Sequence, residues 1–534
     1  VRHSIRFMTL MLCSVAAAAS AHAGELPRLR TEDGRHALLV DGKPYLMLGA
    51  QVHNSSNYPS VLPQVWPVMQ ALSANTIEIP VAWEQFEPTE GRFDYSWVDT
   101  LLAQARKNDM RVVLLWFGSW KNGDSTYTPE WVKSDTKRFP RLQKRDGRPT
   151  TTLSPLGEAT LAADRKAFVA LMRHLREVDR EHTVIMVQVE NEIGSHGVAR
   201  DYSPAAERLF AQQVPEDIRR ASGKQAGTWA EVFGKEADQA FAAWTYARFV
   251  QEVAVAGKAE KNLPLYTNAA VFDATGTAMA AQVASGGPNW NVLPIWKTAA
   301  PALDLIGPDL YLPLEKTYLG LLDRYARPDN ALFVPETSNA IWAVRFFWAA
   351  LGRGAIGWAP FGMDATSYSN YPLGTRKLDA ATIETFAAPY RLFRPIARDW
   401  AAIASKHPTW GTAKNSTGED STSMGSWKIS VIYGRNNFDI PWPGMEPPPW
   451  AKEPVGGGVV AQLGPNEFLV AGQYSRFQFT PVDPAVNGQI MSAEEGTFID
   501  GRWQASRRWN GDQISYGFNF NEQPALLRVK LSTY

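Results

Sequence analysis

Between about residues 45 and 400 the chain repeats one pattern. A short apolar run rich in β-forming residues is followed by a longer segment whose apolar positions recur at helical spacing. The runs occupy residues 45–52, 76–83, 111–117, 183–189, 265–269, 303–310, 331–335 and 355–359, with helical patterns at 97–108, 164–181, 237–259 and 382–402. Eight strands, each followed by helix, predict an α/β chain folded as a (β/α)8 TIM barrel with insertions. An open doubly wound sheet is the alternative. It normally carries a glycine-rich phosphate turn after a strand, and no G-x-G-x-x-G or P-loop stands at such a junction here.

From about Thr409 the period changes. Short alternating runs at 427–433, 467–471, 477–480, 497–503, 514–520 and 526–531 are separated by Gly, Pro and Asn clusters, with no helix-period segment between them. This predicts an all-β antiparallel sandwich over 409–534, appended to a barrel over 24–408. The proline-rich stretch 441–450 reads as a long loop within it.

Residues 1–23 stand apart. Arg2, His3 and Arg6 precede an apolar run ending in Ala21-His22-Ala23, the pattern of a secretory signal peptide cut after Ala23. The expected mature protein is exported, to the periplasm or beyond, and no later run of uninterrupted apolar residues would anchor it in a membrane. The single cysteine, Cys13, leaves with that segment, which excludes disulfides, a thiolate nucleophile and Cys–metal sites. Without residues 1–23 the chain has 52 basic and 54 acidic side chains, a balance that gives nucleic acid or an anionic membrane no electrostatic hold. The 20 Trp, 17 Tyr and 24 Phe are more suggestive, because aromatic faces suit the apolar faces of sugar rings as well as a protein core. The charge and composition leave the oligomeric state open.

In a barrel the chemistry sits where strands end. The fourth run closes with Glu190-Asn191-Glu192 and the seventh with Glu336. Burying such groups without a task is costly. Strands four and seven face each other across the mouth, so the two ends can bring a pair of carboxylates together. That pair is the apparatus of glycoside hydrolysis. Glu190 and Glu192 are two residues apart, and strand alternation puts both on one side, so spacing leaves the choice between them open. Trp83, Glu84 and Trp116, at the mouths of the second and third strands, are further candidate substrate contacts. His53 follows the first strand and reads best as a solvated loop histidine. No H-E-x-x-H occurs among the eight histidines, and no cofactor fingerprint appears, so neither metal nor cofactor is expected.

The segment Gln188-Val189-Glu190-Asn191-Glu192-Ile193-Gly194 resembles the Q-V-E-N-E-Y-G motif of the glycoside hydrolase family 35 β-galactosidases. Asn75-Thr76-Ile77-Glu78 with Val81, Trp83, Glu87 and Pro88, and then Gly91-Arg92-Phe93-Asp94-Tyr95-Ser96, are similar to that family's second-strand region. The resemblance implies Glu192 as general acid/base, Asn191 as a partner of the sugar 2-hydroxyl and Glu336 as nucleophile. It further implies Tyr311 as the tyrosine that orients the nucleophile and Trp358 as the platform beneath the sugar. The implied activity is a retaining, exo-acting β-galactosidase that releases terminal galactose from oligo- or polysaccharide side chains, with a bell-shaped pH–rate profile. Two segments depart from the family: Pro80-Val81-Ala82-Trp83-Glu84 and Gly118-Ser119-Trp120-Lys121-Asn122-Gly123. Both supply sugar-hydroxyl contacts in relatives, so a different β-glycosyl unit, or galactose on a branched plant polysaccharide, would fit. The rival from another class is an exported protein that binds carbohydrate without cleaving it.

Overall fold

The computed structural model describes residues 24–272, 284–434 and 451–534. Eight parallel strands close into a barrel, arranged around the ring in chain order. They are β1 (Met47–Gln51), β2 (Thr76–Ala82), β3 (Arg111–Lys121), β4 (Val184–Asn191), β5 (Leu265–Ala270), β6 (Leu305–Leu310), β7 (Phe333–Thr337) and β8 (Gly357–Pro360), which pairs back onto β1. All eight expected runs are barrel strands. The strands are buried on both faces, which is why they read as apolar runs rather than as alternating patterns. Along β3, Val113, Leu115 and Phe117 face the barrel interior with Met47, Ile185, Tyr266 and Phe333, while Val112, Leu114 and Trp116 face the helices.

A three-stranded antiparallel sheet (Arg28–Glu32, Arg35–Val40, Lys43–Tyr45) precedes the barrel and was not expected. Leu38, Val40 and Tyr45 join the interior cluster, and the Tyr45 hydroxyl donates to Asn75 O (3.0 Å) where β2 begins. This sheet therefore plugs the end of the barrel opposite the strand tips. The helix expected over 382–402 is two, Ala380–Phe393 and Ala397–Ala404, joined by a 3-10 turn at Arg394–Ile396. Pro395 accounts for the break, since it lacks the N–H that a continuous helix requires. The expected leader (1–23) and proline-rich loop (441–450) lie outside the described residues. Among the described residues no helix is long and apolar enough to cross a membrane.

The C-terminal residues form two antiparallel sheets. One runs Thr409–Ala413, Gly457–Gly464, Glu467–Gln473, Ala525–Thr533, Gly488–Ile499, Arg502–Arg508 in spatial order; the other runs Glu419–Met424, Trp427–Tyr433, Ser475–Pro481, Phe518–Phe520. Trp427, Ile429 and Val431 of the smaller sheet pack on Val460, Phe468 and Val470 of the larger, making the expected sandwich. The strand expected over 497–503 is a hairpin. Asp500 (φ +49°) and Gly501 (φ +74°) form its turn, an Asp-Gly pair whose preference for left-handed backbone marks such turns. Of the expected strand 514–520 only Phe518–Phe520 pairs.

The larger sheet is buried on its other face as well. Val459, Ala461, Leu469, Ala471 and Leu526 join the barrel's main core with Trp348 and Trp400. Contact is closest where the helix Arg345–Gly352 ends against the strand Thr409–Ala413. A Cβ placed on Gly352 would lie 1.8 Å from Gly411 N, and one on Gly411 would lie 2.1 Å from Trp348 O. Backbone meets backbone there with no space for a side chain. Gly352→Ala should lower stability by about 3 kcal/mol, the upper range for overpacking, measured as a drop in the urea midpoint at unchanged slope.

Candidate active site

Glu192, Asp309 and Glu336 gather at the strand tips, each offering a carboxylate oxygen such that the three atoms lie within 4.8 Å of one another. Glu336 comes from β7 and Asp309 from β6, where the two pair in register, so their side chains stand next to each other on the interior face. Glu336 is 3% exposed. Its Oε1 accepts from Gln51 Nε2 at 2.9 Å and Asn268 Nδ2 at 3.5 Å, and its Oε2 accepts from the Tyr311 hydroxyl at 2.8 Å. Burial raises its pKa, while Lys121, Gln51 and Tyr311 oppose that rise. Burial and three nearby carboxylates likewise hold the Tyr311 phenol well above its ordinary range, so it remains a donor.

Glu192 follows β4, and its backbone N–H donates to Asn268 Oδ1 (2.8 Å). Asn268 Nδ2 in turn donates to Asp309 Oδ2 at 2.7 Å. Asn191 is buried, with its amide 2.9 Å from Gln188 Nε2 and 2.9 Å from Lys121 Nζ.

Glu190 and Glu192 do not share a side, contrary to the alternation rule. Both take left-handed backbone, φ +63° and φ +45°, which is uncommon for a residue with a Cβ and breaks the period of two. The Glu190 carboxylate accepts from the N–H groups of Ser119 (3.2 Å) and Trp120 (2.8 Å) and lies beside Asp164. Burial and the Asp164 charge raise its pKa well above the usual range. The residues that receive it are an insertion. Pairing between β3 and β4 runs from Trp116 opposite Val189 to Lys121 opposite Asn191, so β3 carries extra residues that bulge around Glu190. The same bulge delivers Lys121, 5% exposed, to the acids.

The three expected tryptophans lie elsewhere. Trp358 is fully buried on the outer face of β8, donates to the Tyr318 hydroxyl (3.2 Å) and packs on Phe386 and Tyr390. Its neighbour Gly357 takes the inward position against Met47. Trp116 also faces outward and donates to Asp164 Oδ1 (2.9 Å). Trp83 is buried edge-on to Trp131 and bonded to Glu87 Oε2 (2.8 Å). Trp116 and Trp358 by their position along the strand, and Trp83 at the start of the short helix Trp83–Phe86, turn into the core between strands and helices, which corrects the expected sugar contacts. Glu84 is held at the surface by Lys133 Nζ (2.9 Å) and does not reach the acids. His53 is a buried residue rather than a solvated one, with Nδ1 2.9 Å from Asp364 Oδ1 and its backbone N–H donating to Asp364 Oδ2.

Gln51, Lys121, Asn268 and Asp309 complete the site and were not anticipated. Each is a polar residue at or near the end of an apolar strand, the same signal that singled out Glu336. The three carboxylates are the one group among the described residues with the spacing to hold a cation, and Lys121 already brings a positive charge to them.

Deeper in the barrel, Glu78 on β2 is fully buried; Tyr266 donates to its Oε2 at 3.4 Å, and its Oε1 fills the space left by Gly49. Burial and the Glu336 charge raise its pKa well above 4.5. The folded chain thus keeps a proton that the unfolded chain releases above about pH 4.5. Stability from this group is full below that pH and falls as pH rises. Glu78→Gln should match wild type in thermal midpoint near pH 4 and exceed it increasingly toward pH 8, read by calorimetry at several pH values.

Known proteins share parts of this chain. Residues 60–249 match the family model of glycoside hydrolase family 42, described as beta-galactosidase, and residues 386–521 match a domain of unknown function, DUF5597. A beta-galactosidase of Xanthomonas manihotis is 28% identical over 203 residues, covering 37% of this chain and 31% of that protein. Beta-galactosidase 8 of Oryza sativa subsp. japonica is 26% identical over 224 residues, covering 40% of this chain and 30% of its own length. The chain thus spans about a third of each curated relative. Among solved structures, a beta-galactosidase from Rahnella sp. R3 aligns with TM-score 0.46 at 16% identity over 68% of this chain and 61% of its own. One from the psychrophilic Marinomonas ef1 aligns with TM-score 0.49 at 14% identity, covering 68% of this chain and 62% of its own. The matching family model is that of family 42 and not family 35.

Proposed function

We propose that the chain is a clan A glycoside hydrolase, a retaining β-galactosidase that removes terminal galactose from oligo- or polysaccharide side chains. The observation that carries this reading is the pair Glu192 and Glu336, with carboxylate oxygens within 4.8 Å at the ends of β4 and β7. Inverting enzymes hold their carboxyls roughly 6.5–9.5 Å apart to admit a water, whereas a close pair suits direct attack by one of them. The family 42 match over residues 60–249 includes Glu192, and the two curated relatives are named beta-galactosidases. The motif of the fourth strand favours family 35 as the branch.

Glu336 is the nucleophile. Gln51 and Tyr311 each donate to one of its oxygens, which fixes the carboxylate and favours its charged form. Glu192 protonates the leaving oxygen while Glu336 attacks the anomeric carbon, and it then takes a proton from the water that hydrolyses the ester. Asn191, which precedes Glu192 and lies 3.3 Å from Asn268 Nδ2, bonds the sugar 2-hydroxyl in this reading. Expected behaviour is a bell-shaped dependence of rate on pH.

Incubation with a 2-deoxy-2-fluoro-β-galactosyl inactivator should leave one covalent adduct, mapped to Glu336 by intact-mass and peptide mass spectrometry. Glu336→Gln should cut kcat at least about 1,000-fold while galactoside binding persists, since the nucleophile's contribution is made in the transition state. An adduct on another carboxylate would reassign the nucleophile, and tight binding with no turnover by the wild type would leave a carbohydrate-binding protein.

A further inference from the structure

The mechanism above uses Glu192 and Glu336 and leaves Asp309 without a task. Asp309 is 2% exposed. Facing it are Glu336 from β7, Glu192 after β4, Lys121 from β3, Tyr266 from β5, Tyr311 along its own chain and Tyr325 of the helix Glu315–Tyr325. Its Oδ2 accepts from Asn268, but its Oδ1 is buried with no donor in reach among the described residues. Glu336 has side-chain donors of its own. Between Asp309 and Glu192 there is none among the described residues, although their carboxyl oxygens approach within 4.8 Å.

Two bare carboxylates in that arrangement, one of them buried, repel each other. One proton between them converts the contact into a charge-assisted O–H···O hydrogen bond. We propose that Asp309 and Glu192 hold a single proton between them, making Asp309 the positioning residue that keeps the proton available to Glu192. Burial first, then the charges of Glu336 and Glu192, favour a protonated Asp309 carboxyl. The purpose assigned to the proton rests on the glycosidase reading; the shared proton itself belongs to the resting protein.

The arrangement also balances charge through the first step. Before attack Glu336 carries one negative charge, the pair carries one and Lys121 carries one positive. When the Glu336 oxygen bonds the anomeric carbon, the glycosidic electron pair leaves with the departing oxygen, which takes the proton from Glu192. Glu336 is then a neutral ester and the pair carries both negative charges, so the sum is unchanged. The hydrolytic water returns a proton to Glu192 and its oxygen to the sugar, which releases Glu336 as carboxylate.

Infrared difference spectra of the unliganded protein at pH 7 test this without turnover. Wild type minus Asp309→Asn and wild type minus Glu192→Gln should each show the C=O stretch of one protonated carboxyl; its absence from both overturns the proposal. Glu192 is only partly buried, so its variant serves if Asp309→Asn fails to fold. In kcat/KM profiles, Asp309→Asn should move the alkaline limb down by about one pH unit, a tenfold change in proton affinity, because the pair of carboxyls that shares the proton is then gone. A purely structural Asp309 would leave that limb in place, and an unmoved limb overturns the proposal. Infrared bands as expected with no glycoside cleaved would support the shared proton and refute the enzyme reading.

Discussion

Three carboxyl groups meet at the barrel mouth, two of them buried, and the groups around them answer the repulsion that would arise if all were ionised. Lys121 brings one compensating charge, Gln51 and Tyr311 each direct a donor at Glu336, and Asn268 bonds Asp309 while fixing the backbone that carries Glu192. None of these comes from the same strand as another. Closure of the barrel is therefore a condition of the site, because only the ring brings the ends of β1, β3, β4, β5, β6 and β7 to one point.

The bulge in β3 shows how a small backbone irregularity selects one acid of two. Its N–H groups take up the Glu190 carboxylate on one side while Lys121 reaches the site on the other. The left-handed residues at 190 and 192 bear the conformational cost of turning the chain twice within three residues. A regular β4 would have aimed both glutamates inward and left four acids competing for one lysine.

The barrel was legible in the sequence because strands buried on both faces are apolar throughout, and such runs stand out between helical periods. The acids at the tips of β4 and β7 were legible for the complementary reason, as charge directly after an apolar run. The tryptophans misled. Trp116 and Trp358 lie near strand ends, but whether a residue points inward or outward depends on register, and one step separates Trp358 from the inward Gly357. Asp309 is harder to see because it sits inside an apolar run whose evident polar end is Tyr311, two residues on, although both project from one face. In the C-terminal region Gly457–Gly464 and Glu467–Gln473 lack alternation because they are covered on both sides, and the Asp500-Gly501 turn is short enough to pass for the middle of one strand.

The meeting of Gly352 and Gly411 bears on how such a chain can be reassembled. The change of sequence grammar near residue 409 invites treating the sandwich as an exchangeable cassette. Yet the seam is drawn through the interior, with one glycine on each side and Trp348 beneath. A barrel from one lineage joined to a sandwich from another would need both glycines to arrive together. Each half is thereby fitted to the other's backbone, and neither glycine can be replaced by a compensating change at the other.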